Sequence, residues 1–291
     1  MSDASVSTPV SALAAPETRD LSAGDFDVIA RIAYAHAGIV LHPGKRVLVS
    51  SRLAKLMRVH SCDDMHAFVS LVANDARVRR SAIEALTTNH TKFFRENHHF
   101  QHVTHTFRPI MMDAVRARRR VRLWSAGSST GEEVYSLTMT LLGSAPAESR
   151  AILAGDVALL ATDINAQVIT VGNRAQYAAD ALAEIPPALA SAWTERDADG
   201  FRVREEARSL VRFRQLNLLD EWPISGTFDA IFCRNTMIYF DAATTERLQY
   251  RLAEKLCPGG FLYLGHSERL LGSAADLFTP VGQTIYRKVA R

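Results

Sequence analysis

From Val121 onward the chain alternates short apolar runs with amphipathic stretches, and no other feature limits the fold as much. VRLWSAG reads as a strand closing on Gly and Ser, and EEVYSLTMTLL after it has helical periodicity. ALLATDI is a second strand, followed by helical NAQVITVGNRAQY. FDAIFCRN is a third, followed by TTERLQYRLAEKLCPGG with a Pro-Gly-Gly exit. GFLYLGH and TIYRKV complete the set. Strands apolar along their whole length are buried on both faces, so the pattern predicts an α/β domain built on a parallel, doubly wound sheet. Residues 175–214 interrupt the rhythm. There FRVREE and SLVRFRQ alternate with period two after an ADG turn, which predicts a small antiparallel β-subdomain inserted in the α/β domain.

The preceding segment, residues 21–106, has few glycines and no convincing strand. FDVIARIAYAHAGI places Phe26, Ile29, Ala33 and Ala37 on one face, and residues 45–60 do the same with Val49, Leu53, Leu56 and Met57. Two shorter helices are expected over 65–72 and 81–86. A small all-α domain with its linker is therefore predicted over 21–106, ahead of an α/β domain over 107–291. Residues 1–20 are small and polar, carry acid where a signal peptide has base, and read as a mobile tail. No run of roughly 18 apolar residues is present to cross a bilayer. The three cysteines, Cys62, Cys233 and Cys257, have no metal-type spacing and read as reduced thiols, so a cytoplasmic location is expected.

In a doubly wound sheet, ligands bind at the carboxyl ends of the strands. After the first strand stands Ser125-Ala126-Gly127-Ser128-Ser129-Thr130-Gly131-Glu132-Glu133. Its small residues let a ligand approach the backbone, and the helix start offers N–H groups. It is neither G-x-G-x-x-G nor a P-loop. Glu132 and Glu133 would repel a pyrophosphate but suit a cationic ligand. The plain alternative is a tight turn with an acid in the first helical turn. Asp163 ends the second strand, where an acid can accept from both ribose hydroxyls or merely cap a helix. A nucleoside ligand with positive charge and no phosphate describes S-adenosylmethionine, which points to a methyltransferase. Arg234 and Asn235 break the apolar run where the third strand emerges, and buried polar groups there need partners. Asn217 and Leu218 stand where they could bracket an adenine edge. The mixed segment Asn89-His90-Thr91-Lys92-Phe93-Phe94-Arg95 reads as a loop over the site or as an ordinary linker.

LTTNHTKFFRENHHF, LWSAGSSTGEEVYSL, ATDINAQV, FDAIFCRNTMIYFD and GGFLYLGHSE, in that order, closely resemble the chemotaxis receptor methyltransferases of the CheR type. The resemblance spans nearly the whole chain, about residues 26–286. It implies a small helical domain, a Rossmann-like catalytic domain with an inserted β-subdomain, and methyl transfer from S-adenosylmethionine to glutamates on the cytoplasmic methylation helices of bacterial chemoreceptors. Matched by motif, it implies cofactor contacts from Asn89, Thr91, Arg95, Glu133, Asp163, Asn217, Leu218, Arg234 and Asn235. Arg95 and Tyr239 would then lie nearest the transferred methyl. Val134 departs from the Pro often found after Glu-Glu, and Gly127-Ser128 from a frequent small Ala or Cys. The basic stripe Arg52, Lys55 and Arg58 is either a solvated face or, as the resemblance implies, a dock for acidic receptor helices. No tight grip on a receptor tail peptide is expected, because the turn 196–200 is short.

Other readings are weaker. His98, His102 and His105 share a helical face, with His90 and His99 close by, but no acid or cysteine completes a metal set, and no metal is expected. Gly265-His266-Ser267-Glu268-Arg269 is near a nucleophile elbow but lacks its second glycine. A nucleic-acid methyltransferase would draw on Arg116, Arg118, Arg119, Arg120 and Arg122. Arg-Asn-Thr-Met stands where such an enzyme would show a D/N-P-P-Y/F motif or a catalytic Cys after Pro. The arginine run before the first strand reads as a solvated helix face, and 34 basic against 31 acidic residues demand no polyanion partner. A non-catalytic receptor-binding module sharing the fold is a third alternative, opposed by the intact Arg95, Glu133 and Asp163.

Overall fold

The computed structural model describes residues 20–290, so the tail expected over 1–20 lies, all but Asp20, outside the described residues. The chain divides into two compact units. One takes the chain up to Ile32 with Leu41–Leu86, and the other takes Ala33–Val40 with the chain from Thr87. Helix α1 (Ala23–Ala37) contributes to both.

The first unit is helical, with α2 (Arg46–Val59), α3 (Met65–Asn74) and α4 (Ala76–Leu86) joining the start of α1. Val49, Leu53 and Met57 of α2 recur at three to four and are buried. Phe68 and Val72 of α3 and Ala82 and Ile83 of α4 are buried too, and the three helices pack on one another. Asp64 starts α3 by accepting the Ala67 N–H at 2.7 Å, the usual work of an N-cap acid.

The second unit opens with α5 (His98–His102) and α6 (Arg108–Arg116), joined through a π turn, Val103–Phe107, into one unbroken helix. That helix runs through the 106–107 boundary expected between domains, because Phe100, Val103, Phe107 and Met111 all pack into the sheet core. There follow β1 (Val121–Ala126), α7 (Glu132–Leu142), α8 (Pro146–Leu153), β2 (Val157–Asp163) and α9 (Ala166–Arg174). Next come β3 (Gln176–Ala178), α10 (Pro187–Trp193), β4 (Thr194–Asp197), β5 (Gly200–Val203), α11 (Glu205–Arg208) and β6 (Val211–Gln215). The chain ends with β7 (Phe228–Cys233), α12 (Ala242–Lys255), β8 (Leu256–Leu264), β9 (Phe278–Gly282) and β10 (Ile285–Lys288). Among the described residues no helix is long and apolar enough to cross a membrane.

The main sheet runs β6-β2-β1-β7-β8-β10-β9, parallel from β6 to β8 and antiparallel over the last two strands. Both faces are buried. Leu123, Phe232 and Tyr263 enter one core, and Trp124, Ile231 and Leu262 the other. A separate antiparallel sheet, β3-β5-β4, forms the small subdomain. Two local expectations change. SLVRFRQ is not part of that excursion: β6 pairs in parallel with β2, Leu159 opposite Val211. Its period two arises because β6 is an outer strand, with Val211 and Phe213 buried and Arg212 and Arg214 exposed. The Cys-Pro-Gly-Gly stretch is already the start of β8, since α12 stops at Lys255.

Candidate active site

The carboxyl ends of four neighbouring strands, β6, β2, β1 and β7, carry most of the residues singled out in the sequence. After β1 the chain turns at Gly127, φ +84°, where a Cβ would lie 2.3 Å from the Thr236 hydroxyl beyond β7. Only glycine lets these two loops touch. Gly131, φ +99°, then starts α7. Three of the turn's N–H groups are already taken by β2. Those of Gly127 and Ser128 donate to the Thr162 carbonyl at 2.8 Å, and that of Ser129 donates to Asp163 Oδ2 at 2.9 Å. The Asn165 N–H donates to Asp163 Oδ1 at 3.0 Å. Burial raises the Asp163 pKa, against the pull of these backbone donors. With Ile164 as a third backbone donor, the roughly four acceptor sites of the Asp163 carboxylate are still not all filled. The Ser128 hydroxyl is buried without a partner.

Glu133 and Arg234 form the electrostatic centre. Arg234, its side chain only 2% exposed, donates to Glu133 Oε2 at 2.8 Å and stands 3.2 Å from Glu96 Oε2. It also donates to the Arg95 carbonyl. Glu133 Oε1 accepts from Ser125 at 2.7 Å. The acid expected to face a cationic ligand is thus already paired, as a buried ion must be. Glu132 turns to the Thr130 hydroxyl instead, and burial raises its pKa.

The segment 89–95 lies against the same ends. The Asn89 carbonyl accepts the Ser129 hydroxyl at 2.9 Å, Thr91 is half-buried, and Arg95 donates to the His90 carbonyl at 3.1 Å. Asn235, in the left-handed region at φ +55°, donates its N–H to Glu268 at 2.9 Å. Tyr239 follows on a 3₁₀ turn, its carbonyl held by the Val40 N–H at 2.9 Å. Beyond β6, Asn217 donates to the His36 carbonyl at 2.7 Å, and Leu218 is buried. Asn217 also accepts the Leu219 N–H at 3.1 Å and donates to Asp220 Oδ1 at 3.1 Å, and so fixes its own turn. Arg52, Lys55 and Arg58 belong to the other unit. Lys55 and Arg58 are exposed, whereas Arg52 is half-buried and donates to the Leu86 carbonyl at 2.6 Å.

Two acids missed in the sequence hold these loops. Glu268, 6% exposed, accepts N–H groups from Gly265, Asn235 and Met237 at 2.6, 2.9 and 2.8 Å. The signal was there in Gly-His-Ser-Glu, weighed for its serine: Ser267 is exposed, and the acid is the buried member. Glu96, next to the Phe-Phe-Arg segment, reaches His266 at 2.9 Å and the Asn235 amide at 3.3 Å. The histidines knit the long helix to the sheet. His99 meets Thr284 at 3.0 Å and His102 meets the Tyr263 hydroxyl at 2.9 Å.

Residues 89–287 match the family model described as CheR methyltransferase, SAM binding domain, and residues 24–87 match CheR methyltransferase, all-alpha domain. The residues present fit S-adenosylmethionine. Three of the turn's N–H groups are spent on β2 and two acids, Glu132 and Glu133, open α7 where a phosphate would have to sit, while Asp163 keeps acceptor capacity and the buried Ser128 hydroxyl waits for a partner. A probable chemotaxis protein methyltransferase of Rhizobium etli is 40% identical over 260 residues, covering 87% of this chain and 96% of that protein. Chemotaxis protein methyltransferase 2 of Pseudomonas aeruginosa is 37% identical, covering 90% of this chain and 92% of the relative. That of Klebsiella aerogenes is 39% identical, covering 91% and 90%. With both domain models matched in order and relatives aligned over nearly their full length, the chain belongs to the CheR family of S-adenosylmethionine-dependent chemotaxis methyltransferases.

Proposed function

We propose that the protein transfers the methyl group of S-adenosylmethionine to glutamate side chains on the cytoplasmic methylation helices of bacterial chemoreceptors. The products are glutamyl methyl esters and S-adenosylhomocysteine, and the output is sensory adaptation. The observation that carries this is the gathering of the 89–95 segment, Glu133, Asp163 and Arg234 at adjacent strand ends, in a chain whose relatives are named chemotaxis methyltransferases. A glutamate with a reference pKa of about 4.3 is ionised at neutral pH and attacks the sulfonium methyl without a general base. Orientation is then the chief need, and in oriented reactants it is worth roughly 7–11 kcal/mol of barrier.

In this scheme Asp163 receives the ribose, Asn89, Thr91, Asn217, Leu218 and Asn235 line the cofactor, and Glu133 with Arg234 sets the field beside it. Arg95 holds the incoming carboxylate and Tyr239 shapes the transfer channel. Lys55 and Arg58 meet acidic receptor helices. Arg52, bound to the Leu86 carbonyl, supports the helix that presents them. No tight tail-peptide grip is included, because only Ala198 and Asp199 separate β4 from β5. The nucleic-acid alternative loses ground where Arg122 pairs with Asp156 at 2.5 Å and Arg116 with Asp113 at 3.0 Å. As a test, Arg95→Ala should lower receptor methylation about 100-fold, on the scale of lost orientation. A near-normal rate in that variant removes Arg95 from the chemistry.

A further inference from the structure

Arg95 sits in a backbone that does not hold itself. Phe94 at φ +50° and Glu96 at φ +60° flank it, both in the left-handed region that non-glycine residues avoid at a cost of about 1–2 kcal/mol each. Such a turn persists only where surrounding contacts over-determine it. On the Phe94 side the tie is its N–H, donated to the Ser136 hydroxyl of α7 at 2.9 Å. On the other side the ties converge on one carboxylate. Glu96, its side chain 11% exposed, stands 3.2 Å from the Arg234 guanidinium at the end of β7. It takes the Asn235 amide at 3.3 Å and His266, beyond β8, at 2.9 Å. His99 lies 3.7 Å away on the following helix. Arg234 completes the ring by donating to the Arg95 carbonyl.

We propose that Glu96 is a positioning residue for methyl transfer: its carboxylate fastens the strained Arg95 turn to the ends of β7 and β8, and so aims the Arg95 side chain. This rests on the assignment of Arg95 to the substrate carboxylate. Glu96 acts through Arg95 and touches neither reactant. Replacing its charge by an amide, Glu96→Gln, leaves Glu133 as the carboxylate paired with Arg234 and loosens the turn without emptying the space.

The test is a double-mutant cycle in methyl transfer to receptor-bearing membranes, with S-adenosylhomocysteine affinity and thermal unfolding measured alongside. Glu96→Gln should lower kcat about 10- to 100-fold, the scale of a misplacement near 1 Å. In an Arg95→Ala background the same change should alter the rate by less than about threefold, because the group it aims is gone. Losses that multiply would make Glu96 an independent structural prop and overturn the proposal, as would a Glu96→Gln enzyme at the wild-type rate. Should Glu96→Gln not fold, His266→Ala replaces it: that imidazole is 60% exposed, and its loss frees one anchor of Glu96. The expected outcome is a smaller drop, about three- to tenfold, again absent in the Arg95→Ala background. A multiplying loss overturns the proposal here too. Wild-type protein that methylates no receptor overturns the function itself, whereas active wild type with a multiplicative cycle overturns only the role of Glu96.

Discussion

Removing the Glu268 carboxylate should loosen the loop that carries Arg234, Asn235 and Tyr239 before it affects anything else. Three backbone N–H groups, of Gly265, Asn235 and Met237, end on its two oxygens within 2.9 Å, and the residue is 6% exposed. A buried donor left unpaired costs about 1–3 kcal/mol, so Glu268→Ala would cost about 3 kcal/mol if water enters the space and up to about 9 if it stays dry. Burial raises the Glu268 pKa, against the pull of the backbone donors. At about 2–4 °C of melting temperature per kcal/mol, even the lower figure predicts a drop of roughly 6–12 °C for a unit of this size. Thermal unfolding by circular dichroism reads the stability, and calorimetry with S-adenosylhomocysteine reads the loop. Glu268→Gln, which keeps one acceptor oxygen and turns an NH₂ toward a donor, should fall between wild type and Ala. A Glu268→Ala protein that unfolds within about 1 kcal/mol of wild type and binds the product normally would refute the reasoning, since at least one buried donor would have to lose its partner without penalty.

Reversing charge at Lys55 and Arg58 together should raise the apparent KM for receptor while leaving S-adenosylhomocysteine affinity unchanged, and added salt should shrink the wild-type advantage. Arg52→Glu should instead lower the melting temperature, because it breaks the bond to the Leu86 carbonyl. His99 gives a pH signature. Burial lowers its pKa to about 3, with Arg234 and His98 adding repulsion. Below the unfolded value of about 6.5, the unfolded chain binds a proton that the folded one refuses. Stability should therefore fall with acid from about pH 6.5 toward 3, by up to about 1.4 kcal/mol per pH unit from this group. Denaturant titrations across that window should show a flatter slope in His99→Gln, and an unchanged slope would contradict the assignment.

Much of the molecule was legible in the sequence. The α/β order followed from apolar runs such as LWSAG and FDAIFCRN, which only a sheet covered on both faces can bury. Asp163 and Arg234 stood out because a polar group at the end of such a run must find a partner. What stayed hidden was non-local. The alternation of residues 211–215 is the same for a hairpin strand as for the outer strand of a parallel sheet, and only its pairing with β2 decides between them. The continuity of α5 and α6 depends on packing against a sheet formed by later residues. Glu96 and Glu268 resemble any surface acid in composition. Their importance comes from partners far away in the chain, Arg234 for Glu96 and the N–H groups of Asn235 and Met237 for Glu268, of which the local Gly-His-Ser-Glu pattern shows only the Gly265 bond. The turn after β1 also differed in use: Gly127 serves contact with the Thr236 loop, and the N–H groups of Gly127, Ser128 and Ser129 bond to β2.

The most direct measurement is transfer from S-adenosylmethionine carrying a radioactive methyl group, with purified protein and membranes that contain or lack chemoreceptors. Label should enter the receptor band only, and mild alkali should release it as methanol, as a glutamyl methyl ester requires. Label that resists alkali, or that enters membranes without receptors equally well, would contradict the assignment of receptor glutamates as the methyl acceptor.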